Sequence, residues 1–199
     1  MEVKIKAEDL VYLNSFTTKI SDNIQLSQIC LEKINNKYFL IATDRYAMLC
    51  YRIPKCDITF KNGETDEKTT FCFYLDKSCC IALNNTKEYV SIDTDNKTIT
   101  INNINYGIQT LAEPYTNFGL WLKDLANYQE DEEIGFVKYD IKQFKKFVYK
   151  GEDPAFKQIS YRIALVEFQH VTNFFGLVCS MHINNNEIVY ESLKQHLEN

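Results

Sequence analysis

The sequence predicts an α+β fold built from three copies of one strand–helix–strand–strand–strand (β-α-β-β-β) unit. Short apolar runs rich in Phe, Tyr, Ile, Val and Thr, which favour strands, supply most of the predicted elements. A segment with helical spacing of apolar residues follows the first strand of each unit. This order recurs three times along the 199 residues, and such self-similarity is typical of repeat architectures.

The first unit is predicted to end at Pro54, because proline removes a backbone donor from a strand. Leu10, Leu13 and Phe16 recur at helical spacing and predict a helix over residues 7–20. The predicted strands of this unit cover residues 2–6, 24–32, 38–43 and 48–53, with a hairpin turn at residues 35–37.

The second and third units repeat the same order. The second unit has predicted strands at residues 71–74, 89–93, 98–101 and 106–111, a helix at 75–84, and a short apolar plug at 120–122. The third unit has predicted strands at residues 134–139, 159–164, 165–169 and 174–183, and a helix at 141–150 that Asp140 caps and Gly151 ends. The polar residues 61–70 and the acidic residues 127–133 are predicted to form loops.

These units predict the domain organisation. Residues 1–120 form one complete domain of two units, residues 131–183 form half a domain, and residues 184–199 form a tail with an amphipathic helix. Each unit is too small to bury a core alone. The first two units can pair within the chain, but the third has no partner left, which argues for self-association.

The composition narrows the classes of function. Hydrophobic residues make up 45% and charged residues 25% of the chain, as in ordinary soluble globular proteins. The net charge of -5 argues against a protein that coats DNA with its whole surface, although a local basic face stays compatible with it. No cleavable signal and no membrane-length apolar run is recognisable, so a cytoplasmic protein is expected.

No cofactor, metal site or catalytic residue is predicted. The seven cysteines are odd in number and contain no Cys-x-x-Cys pair, so they are interpreted as mostly small buried thiols. The three histidines lie far from any cysteine cluster. Asp44 and Asp76 have no obvious base or nucleophile beside them, and no glycine-rich phosphate loop is present.

Residues 38–53 are the stretch around which the rest is organised. Two apolar strands flank a polar turn at Thr43, Asp44 and Arg45, where an aspartate can bond its own backbone. Such a turn is more often structural than a contact site. A contact site stays open as the alternative, because loops on rigid strands carry much of molecular recognition.

Several strings in this order resemble the bacterial β sliding clamp, the ring that tethers the replicative polymerase to DNA. Residues 42–48, Ala-Thr-Asp-Arg-Tyr-Ala-Met, stand where that family has Ala-Thr-Asp-Gly-His-Arg-Leu. The string Leu-Ser-Gln-Ile-Cys-Leu-Glu at residues 26–32 is similar to the preceding strand, and residues 114–115 fall near the family's Phe-Pro-Asp-Tyr stretch. Residues 133–136 and 177–183 resemble the late part of its third domain. The resemblance implies the sliding-clamp (DNA clamp, processivity) fold.

The resemblance also implies an apolar pocket that receives a short linear peptide from a polymerase or clamp loader. By position, the pocket residues are Leu26, Thr43, Arg45, Tyr46, Ala47, Met48, Leu120, Leu177, Val178, Cys179 and Met181. Arg45-Tyr46-Ala47 replaces Gly-His-Arg of the family, and Cys179-Ser180 replaces Met-Pro, so the preferred peptide is expected to differ. The tail follows the last pocket strand and is a candidate competitor. The alternative is that these residues form an ordinary core between two sheets.

A second implied surface is the inner wall of a ring, whose helices contact the phosphates of duplex DNA without reading bases. The lysines that fall on the predicted helices are Lys19, Lys77, Lys142, Lys145, Lys146 and Lys150. Their spacing in the third helix places most of them on one face. A solvated lysine face without a ligand is the alternative interpretation.

The clamp ring of this family contains twelve such units, so a chain of three units would need four copies, as in a dihedral tetramer. The leading hypothesis is therefore a non-enzymatic, clamp-like processivity factor for a DNA polymerase, acting as a homo-oligomeric ring around duplex DNA. The second hypothesis is a clamp mimic without a ring, which captures clamp-binding peptides and modulates replication. An unrelated enzyme is a third class with little support. The small size hints at a phage or mobile-element genome, but cellular or viral origin stays open.

Overall fold

The computed structural model describes residues 1–60, 70–126, 138–152, 154–160 and 162–180. Its strands are β1 (Glu2–Lys6), β2 (Ile29–Ile34), β3 (Lys37–Thr43), β4 (Ala47–Arg52), β5 (Ile58–Thr59), β6 (Thr70–Phe73), β7 (Tyr89–Asp93), β8 (Thr98–Ile101), β9 (Ile104–Gly107), β10 (Ala155–Ser160), β11 (Ile163–Glu167) and β12 (Phe174–Cys179). Its helices are α1 (Ala7–Asn14), α2 (Lys77–Asn84), α3 (Phe118–Ala126) and α4 (Ile141–Lys146).

The predicted order of elements is confirmed for two units and for the described part of the third. The first unit reads β1-α1-β2-β3-β4, the second β6-α2-β7-β8-β9, and the third α4-β10-β11-β12. The predicted first strand of the third unit lies mostly outside the described residues, as do the predicted acidic loop and the helical tail. The domain boundaries remain predictions.

The first two units exchange their first strands. β1 of the first unit pairs with β7 of the second, in a five-stranded sheet of order β5-β1-β7-β8-β9. β6 of the second unit pairs in return with β2 of the first. Neither unit therefore closes its sheet alone, which is the physical reason for their pairing within the chain.

The third unit extends the sheet of the first unit. β12 pairs antiparallel with β4, and this ladder joins both units into a seven-stranded sheet of order β10-β11-β12-β4-β3-β2-β6. Phe174 lies opposite Tyr51, and Leu177 lies opposite Met48. Side chains alternate between the two faces of the sheet, so each face carries its own apolar layer.

The inner face of this sheet carries the main hydrophobic core. Leu40, Leu49, Phe174 and Val178 pack there in one cluster with residues of the five-stranded sheet and of helices α1 and α2. The outer face carries a second cluster, which includes Ile41, Met48, Cys50 and Leu177 and is covered by Phe118 and Trp121 of α3. The predicted apolar plug is thus part of an amphipathic helix that shields the outer face.

Two predicted helices end earlier in the structure. The predicted helix at residues 7–20 ends at Asn14, because the hydroxyls of Ser15 and Thr17 donate to the carbonyls of Tyr12 and Asn14 (2.6 and 2.8 Å). The predicted helix at 141–150 ends at Lys146, and the chain then turns through two residues with positive φ, at 150 and 151.

Several strand boundaries also differ from the prediction. Residues 25–27 form a 3-10 turn capped by the Asn23 side chain, so β2 begins at Ile29. Asn102 and Asn103 adopt positive φ and make a tight hairpin that shifts β9 toward the N-terminus. The apolar run at residues 163–166 is one strand rather than the junction of two, because it pairs along its length with β12.

The interpretation of the cysteines as thiols is wrong for two of them. Cys30 of β2 and Cys72 of β6 lie directly opposite one another and form a disulfide. They are 42 residues apart in the sequence, and the pairing of a strand from each unit brings them together. Cys50 and Cys79 are buried free thiols, as expected, and Cys56 is exposed.

The chain around the end of α4 docks on the inner face of the seven-stranded sheet. Phe147 is fully buried and lies directly over Gly176 of β12, where a Cβ atom would overlap its ring and approach the Met48 carbonyl oxygen to 3.0 Å. The hydroxyl of Tyr149 donates to the buried carboxylate of Asp9 in α1. A glycine at position 176 is therefore a packing requirement.

We predict that Gly176→Ala lowers the free energy of unfolding by about 1–3 kcal/mol, the usual range for an overpacked core. The Phe147 ring has to leave its site to admit the methyl group. Gly107→Ala is the matched control, because a Cβ there meets nothing within 4 Å. Urea unfolding of both variants measures the difference, and equal midpoints would contradict this packing.

Candidate functional site

The turn between β3 and β4 is held by its own side chains. Asp44 Oδ1 accepts hydrogen bonds from the backbone N–H groups of Tyr46 (2.9 Å) and Ala47 (2.8 Å). The Thr43 hydroxyl donates to the Ala47 carbonyl (2.9 Å) and accepts from the Arg45 N–H (3.1 Å). These bonds confirm the prediction that the aspartate bonds its own backbone.

The second carboxylate oxygen of Asp44 ties this turn to the third unit. Lys146 of α4 donates to Asp44 Oδ2, and the two side chains form a partly buried ion pair. Both oxygens of Asp44 are thus engaged, one by the backbone and one by a lysine. Asp44 is therefore a structural residue of the site, because both of its carboxylate oxygens have partners within the protein.

Helix α3 is anchored to the sheet through a buried carboxylate. Glu32 of β2 is only 7% exposed, and its Oε1 accepts a hydrogen bond from the N–H of Gly119 in the first turn of α3 (2.8 Å). A Cβ at Gly119 would meet that same oxygen at 2.8 Å, so the glycine permits the close approach. Burial raises the pKa of Glu32, and the N–H groups of Gly119 and Phe118 oppose this shift.

An apolar cavity of about 230 Å³ lies between the turn, the start of α3 and the end of β12. Its described lining residues are Thr43, Arg45, Tyr46, Ala47, Met48, Tyr115, Thr116, Phe118, Trp121, Leu177 and Cys179. The pairing of β4 with β12 places Met48 beside Leu177 on the cavity floor. Tyr46 and Tyr115 are 58% and 45% exposed and form its rim.

The structure brings seven of the eleven predicted pocket residues to this cavity. They are Thr43, Arg45, Tyr46, Ala47, Met48, Leu177 and Cys179. Val178 instead points into the main core, because neighbouring strand residues face opposite sides. Leu26 is buried away from the cavity, Leu120 is 59% exposed on α3, and Met181 lies outside the described residues.

Four lining residues, Tyr115, Thr116, Phe118 and Trp121, were not predicted to line the pocket. Phe118, Trp121, Leu122 and Leu125 recur at the three- and four-residue spacing of an amphipathic helix. From that spacing, the helix itself could have been predicted. Only the tertiary packing reveals that this helix covers the sheet beside the turn.

Apart from Arg45, the described residues that line the cavity are apolar, aromatic or neutral. Burial, and secondarily the charge of Asp44, raises the pKa of the Cys179 thiol, which favours the protonated and weakly nucleophilic form. Within the described parts of the chain, no cluster of His, Cys, Asp and Glu could hold a metal ion. Trp121 is the single tryptophan of the chain, so its fluorescence reports on this site alone.

The structure separates the six predicted DNA-facing lysines into two groups. Lys146 pairs with Asp44, and Lys150 pairs with Glu8 (2.6 Å) and Asp9 (3.4 Å) of α1. The remaining four, Lys19, Lys77, Lys142 and Lys145, have exposed side chains. Lys146 and Lys150 each pair with a carboxylate of the first unit, so their charge is locally balanced. The two pairs also link the third unit to the first.

Comparison with known proteins shows similarity in structure but not in sequence. No protein-family model and no curated protein matches the chain. The β subunit of DNA polymerase III from Borrelia burgdorferi, solved with a natural product, matches 92% of this chain with a TM-score of 0.64 at 13% identity. The β subunit from Caulobacter crescentus matches 96% with a TM-score of 0.57 at 11% identity. The sliding clamp of Pseudomonas aeruginosa bound to griselimycin matches 96% with a TM-score of 0.57 at 10% identity.

These matches define the fold. The chain has the architecture of a DNA sliding clamp, and within that class it is similar to the β subunit of bacterial DNA polymerase III. It spans 63% of the length of the Borrelia protein, and 68% and 67% of the other two. The predicted fold and the resemblance to this family are confirmed. Among the described helices, none is long and apolar enough to cross a membrane.

We predict that the pH dependence of stability differs between the native protein and Glu32→Gln. The folded-state pKa of Glu32 lies above its ordinary value of 4.5, so the native state retains the proton while the unfolded chain ionises. The stability that protonated Glu32 contributes is fully present below pH 4.5 and is lost as the pH rises through the folded-state pKa. Glu32→Gln removes this dependence, so its melting temperature relative to the native protein rises with pH above 4.5.

Thermal unfolding between pH 4 and pH 8 (roughly the range over which a raised carboxyl pKa acts) measures this difference. Glu113→Gln is the control, since Glu113 is an exposed carboxylate just before α3. Parallel melting curves for the native protein and Glu32→Gln across that range would contradict the prediction.

Proposed function

We propose that this protein is a non-enzymatic, clamp-like processivity factor that encircles duplex DNA as a homo-oligomer and holds a polymerase through a peptide. The observation that carries this proposal is the position of the apolar cavity. It lies on the outer face of the sheet, at the junction of two repeat units, in a chain with the sliding-clamp fold. The exposed lysines of α4 lie on the inner side of the same sheet. Partner peptide and DNA would thus bind opposite faces.

The peptide part of the proposal rests on the shape and chemistry of the cavity. Met48, Leu177 and Trp121 offer an adaptable apolar surface, which suits an aliphatic or aromatic anchor side chain. The exposed tyrosines at the rim, Tyr46 and Tyr115, offer polar groups that fix the register of a bound segment. A polymerase or clamp loader is the expected source of such a segment.

The DNA part of the proposal rests on the exposed lysines. Lys142 and Lys145 lie on α4, on the side of the sheet that also carries α1 and α2. Lysines that contact phosphates bind without reading sequence, which permits sliding. Lys146 and Lys150 support this surface indirectly, because their ion pairs hold the end of α4 and the following turn against the first unit.

The oligomer part rests on two sheet edges. In each of the first two units, the second strand pairs with the first strand of the other unit. β2 pairs with β6 in this way, and β7 pairs with β1. β10 is the corresponding strand of the third unit and ends the seven-stranded sheet. No described strand pairs with it on the side opposite β11. Helix α4 contacts β10 through the rings of Phe144 and Phe156, whose centres are 4.3 Å apart. Ile141 at the start of this helix and Val148 just after it are 63% and 56% exposed. A second copy of the third unit would cover this surface and complete a domain.

The second edge is that of β9. The last strands of the first and third units, β4 and β12, pair with each other, whereas β9 is the last strand of the second unit and ends the five-stranded sheet. Its Ile104 is 56% exposed. Pairing of β9 with a β9 strand from another copy would provide a second two-fold interface. Two distinct two-fold interfaces generate a closed dihedral tetramer when their axes cross at right angles, and four chains of three units contain the twelve units of a full ring.

We predict that the native protein is a tetramer in solution and that each interface can be removed separately. Ile141→Asp and Ile104→Asp should each reduce the tetramer to a dimer, because a carboxylate would be desolvated at one interface, and the double variant should be a monomer. Native mass spectrometry at micromolar concentration measures the masses. Leu120→Asp, equally exposed on α3 and remote from both edges, should leave the tetramer intact.

If native mass spectrometry showed a monomer, the proposed ring would be wrong. That result would favour the second candidate, a clamp mimic that binds partner peptides without encircling DNA. The balanced charges of Lys146 and Lys150 are the observation that favours this candidate, because they leave fewer unpaired cations on the inner face.

We predict that Lys142→Ala combined with Lys145→Ala weakens binding to duplex DNA and makes the dependence of log affinity on log salt concentration less steep. A tetramer loses two lysines from each of its four copies, and each lost phosphate contact releases roughly 0.9 fewer counterions, so the slope for the ring changes by up to about seven. Fluorescence anisotropy with a labelled duplex across a salt series measures both quantities. The control is Lys37→Ala combined with Lys123→Ala, which removes the same charge at exposed positions of β3 and α3. Equal slopes for both double variants would contradict the inner-face assignment.

A further inference from the structure

Arg45 stands at the rim of the apolar cavity, in a backbone conformation that arginine rarely adopts. We propose that the cavity selects peptide segments in which an acidic residue lies next to an aliphatic or aromatic anchor, and that Arg45 recognises the acidic residue. This inference rests on the proposed peptide-binding function and names the chemical class of its ligand.

The first argument is the distribution of charge. Among the described residues that line the cavity, Arg45 is the single charged side chain, and the others are apolar, aromatic or neutral. No described carboxylate balances it. The nearest in sequence, Asp44, is engaged by the N–H groups of the turn and by Lys146. An apolar cavity with one uncompensated cation at its rim is complementary to an apolar side chain followed or preceded by a carboxylate.

The second argument is the backbone. Arg45 has a φ of +86°, in the left-handed region where a Cβ atom is unfavourable and where glycine is the usual residue. The strain persists because the turn is fixed on both sides, by the Asp44 carboxylate and the Thr43 hydroxyl. Residues that keep a strained conformation cluster at binding sites, where the side chain they present has a role.

The third argument is the placement of the guanidinium group. It lies 6.0 Å from the centre of the Tyr115 ring, which also stands at the rim of the cavity. A guanidinium that packs on an aromatic face is already ordered, and its planar set of N–H donors matches the geometry of a carboxylate. Tyr115 thus orders Arg45, so less conformational entropy is lost when an acidic ligand binds.

The test begins with selection of peptides from a random phage-displayed library on the full-length chain. Selected sequences should combine an aliphatic or aromatic anchor with Asp or Glu at a neighbouring position. Selection on Arg45→Gly should retain the anchor and lose the acidic residue. Selection on Arg52→Ala, which removes an exposed arginine at the far end of β4 from the cavity, should give the same sequences as the native protein.

Synthetic peptides that carry Asp or Asn at the selected position are then titrated against Trp121 fluorescence. The Asp peptide should bind the native protein about 1.4- to fivefold more tightly than the Asn peptide, the usual range for a solvent-accessible ion pair. This preference should disappear in Arg45→Gly and should fall with added salt. Arg45→Gly should unfold at a higher temperature than the native protein, because glycine relieves the strained φ, so a lost preference cannot be attributed to unfolding.

The outcomes separate the two proposals. Selected peptides that change Trp121 fluorescence but show no acidic preference would overturn the role of Arg45 and leave the peptide site in place. If no selected peptide changes Trp121 fluorescence, the peptide site and the role of Arg45 are both overturned.

Discussion

The pairing of β4 with β12 is the interaction on which the rest of the structure depends. Five successive residue pairs join the first unit to the third, and they merge two small sheets into one of seven strands. A slip of one residue would move every side chain of β12 to the opposite face. Leu177 would leave the cavity and Val178 would leave the main core. The register of this ladder therefore determines both the core and the candidate site.

Docking of the chain around α4 reinforces that register. Phe147 occupies the space above Gly176, so the third unit sits closely against the inner face of the sheet. The ion pair of Lys146 with Asp44 then connects α4 to the turn that borders the cavity. The two candidate surfaces, one for DNA and one for a peptide, are thus built on shared supports. Phe147, Lys146 and Asp44 provide this support, and none of them is among the described residues that line the cavity.

The buried carboxylate of Glu32 positions helix α3, which forms one wall of the cavity. Glu32 holds the first turn of α3 against β2, and Gly119 permits the contact because it has no Cβ atom. The helix in turn presents Phe118 and Trp121 to the cavity. A polar group buried in an apolar cluster is costly unless it is hydrogen-bonded, so this contact favours one position of the helix over alternatives. The cavity is consequently a property of the packed helix and sheet together.

The sequence by itself determined the class of fold, the repeat and the chemistry of the turn. Periodicity and turn residues are local signals, so the strands at 89–93 and 98–101 and the hydrogen bonds of Asp44 could be predicted from neighbours in the chain. Resemblance to the sliding clamp added seven of the residues that line the cavity.

Only the tertiary structure decided which distant residues meet. It paired Cys30 with Cys72, turned Val178 inward, set α3 over the outer face, and engaged Lys146 with Asp44. Most of these contacts join residues from different units. The inward orientation of Val178 depends on the register with which β12 pairs with β4. The free energy of such contacts comes from burial and pairing across the whole sheet, and no local pattern in the sequence records it.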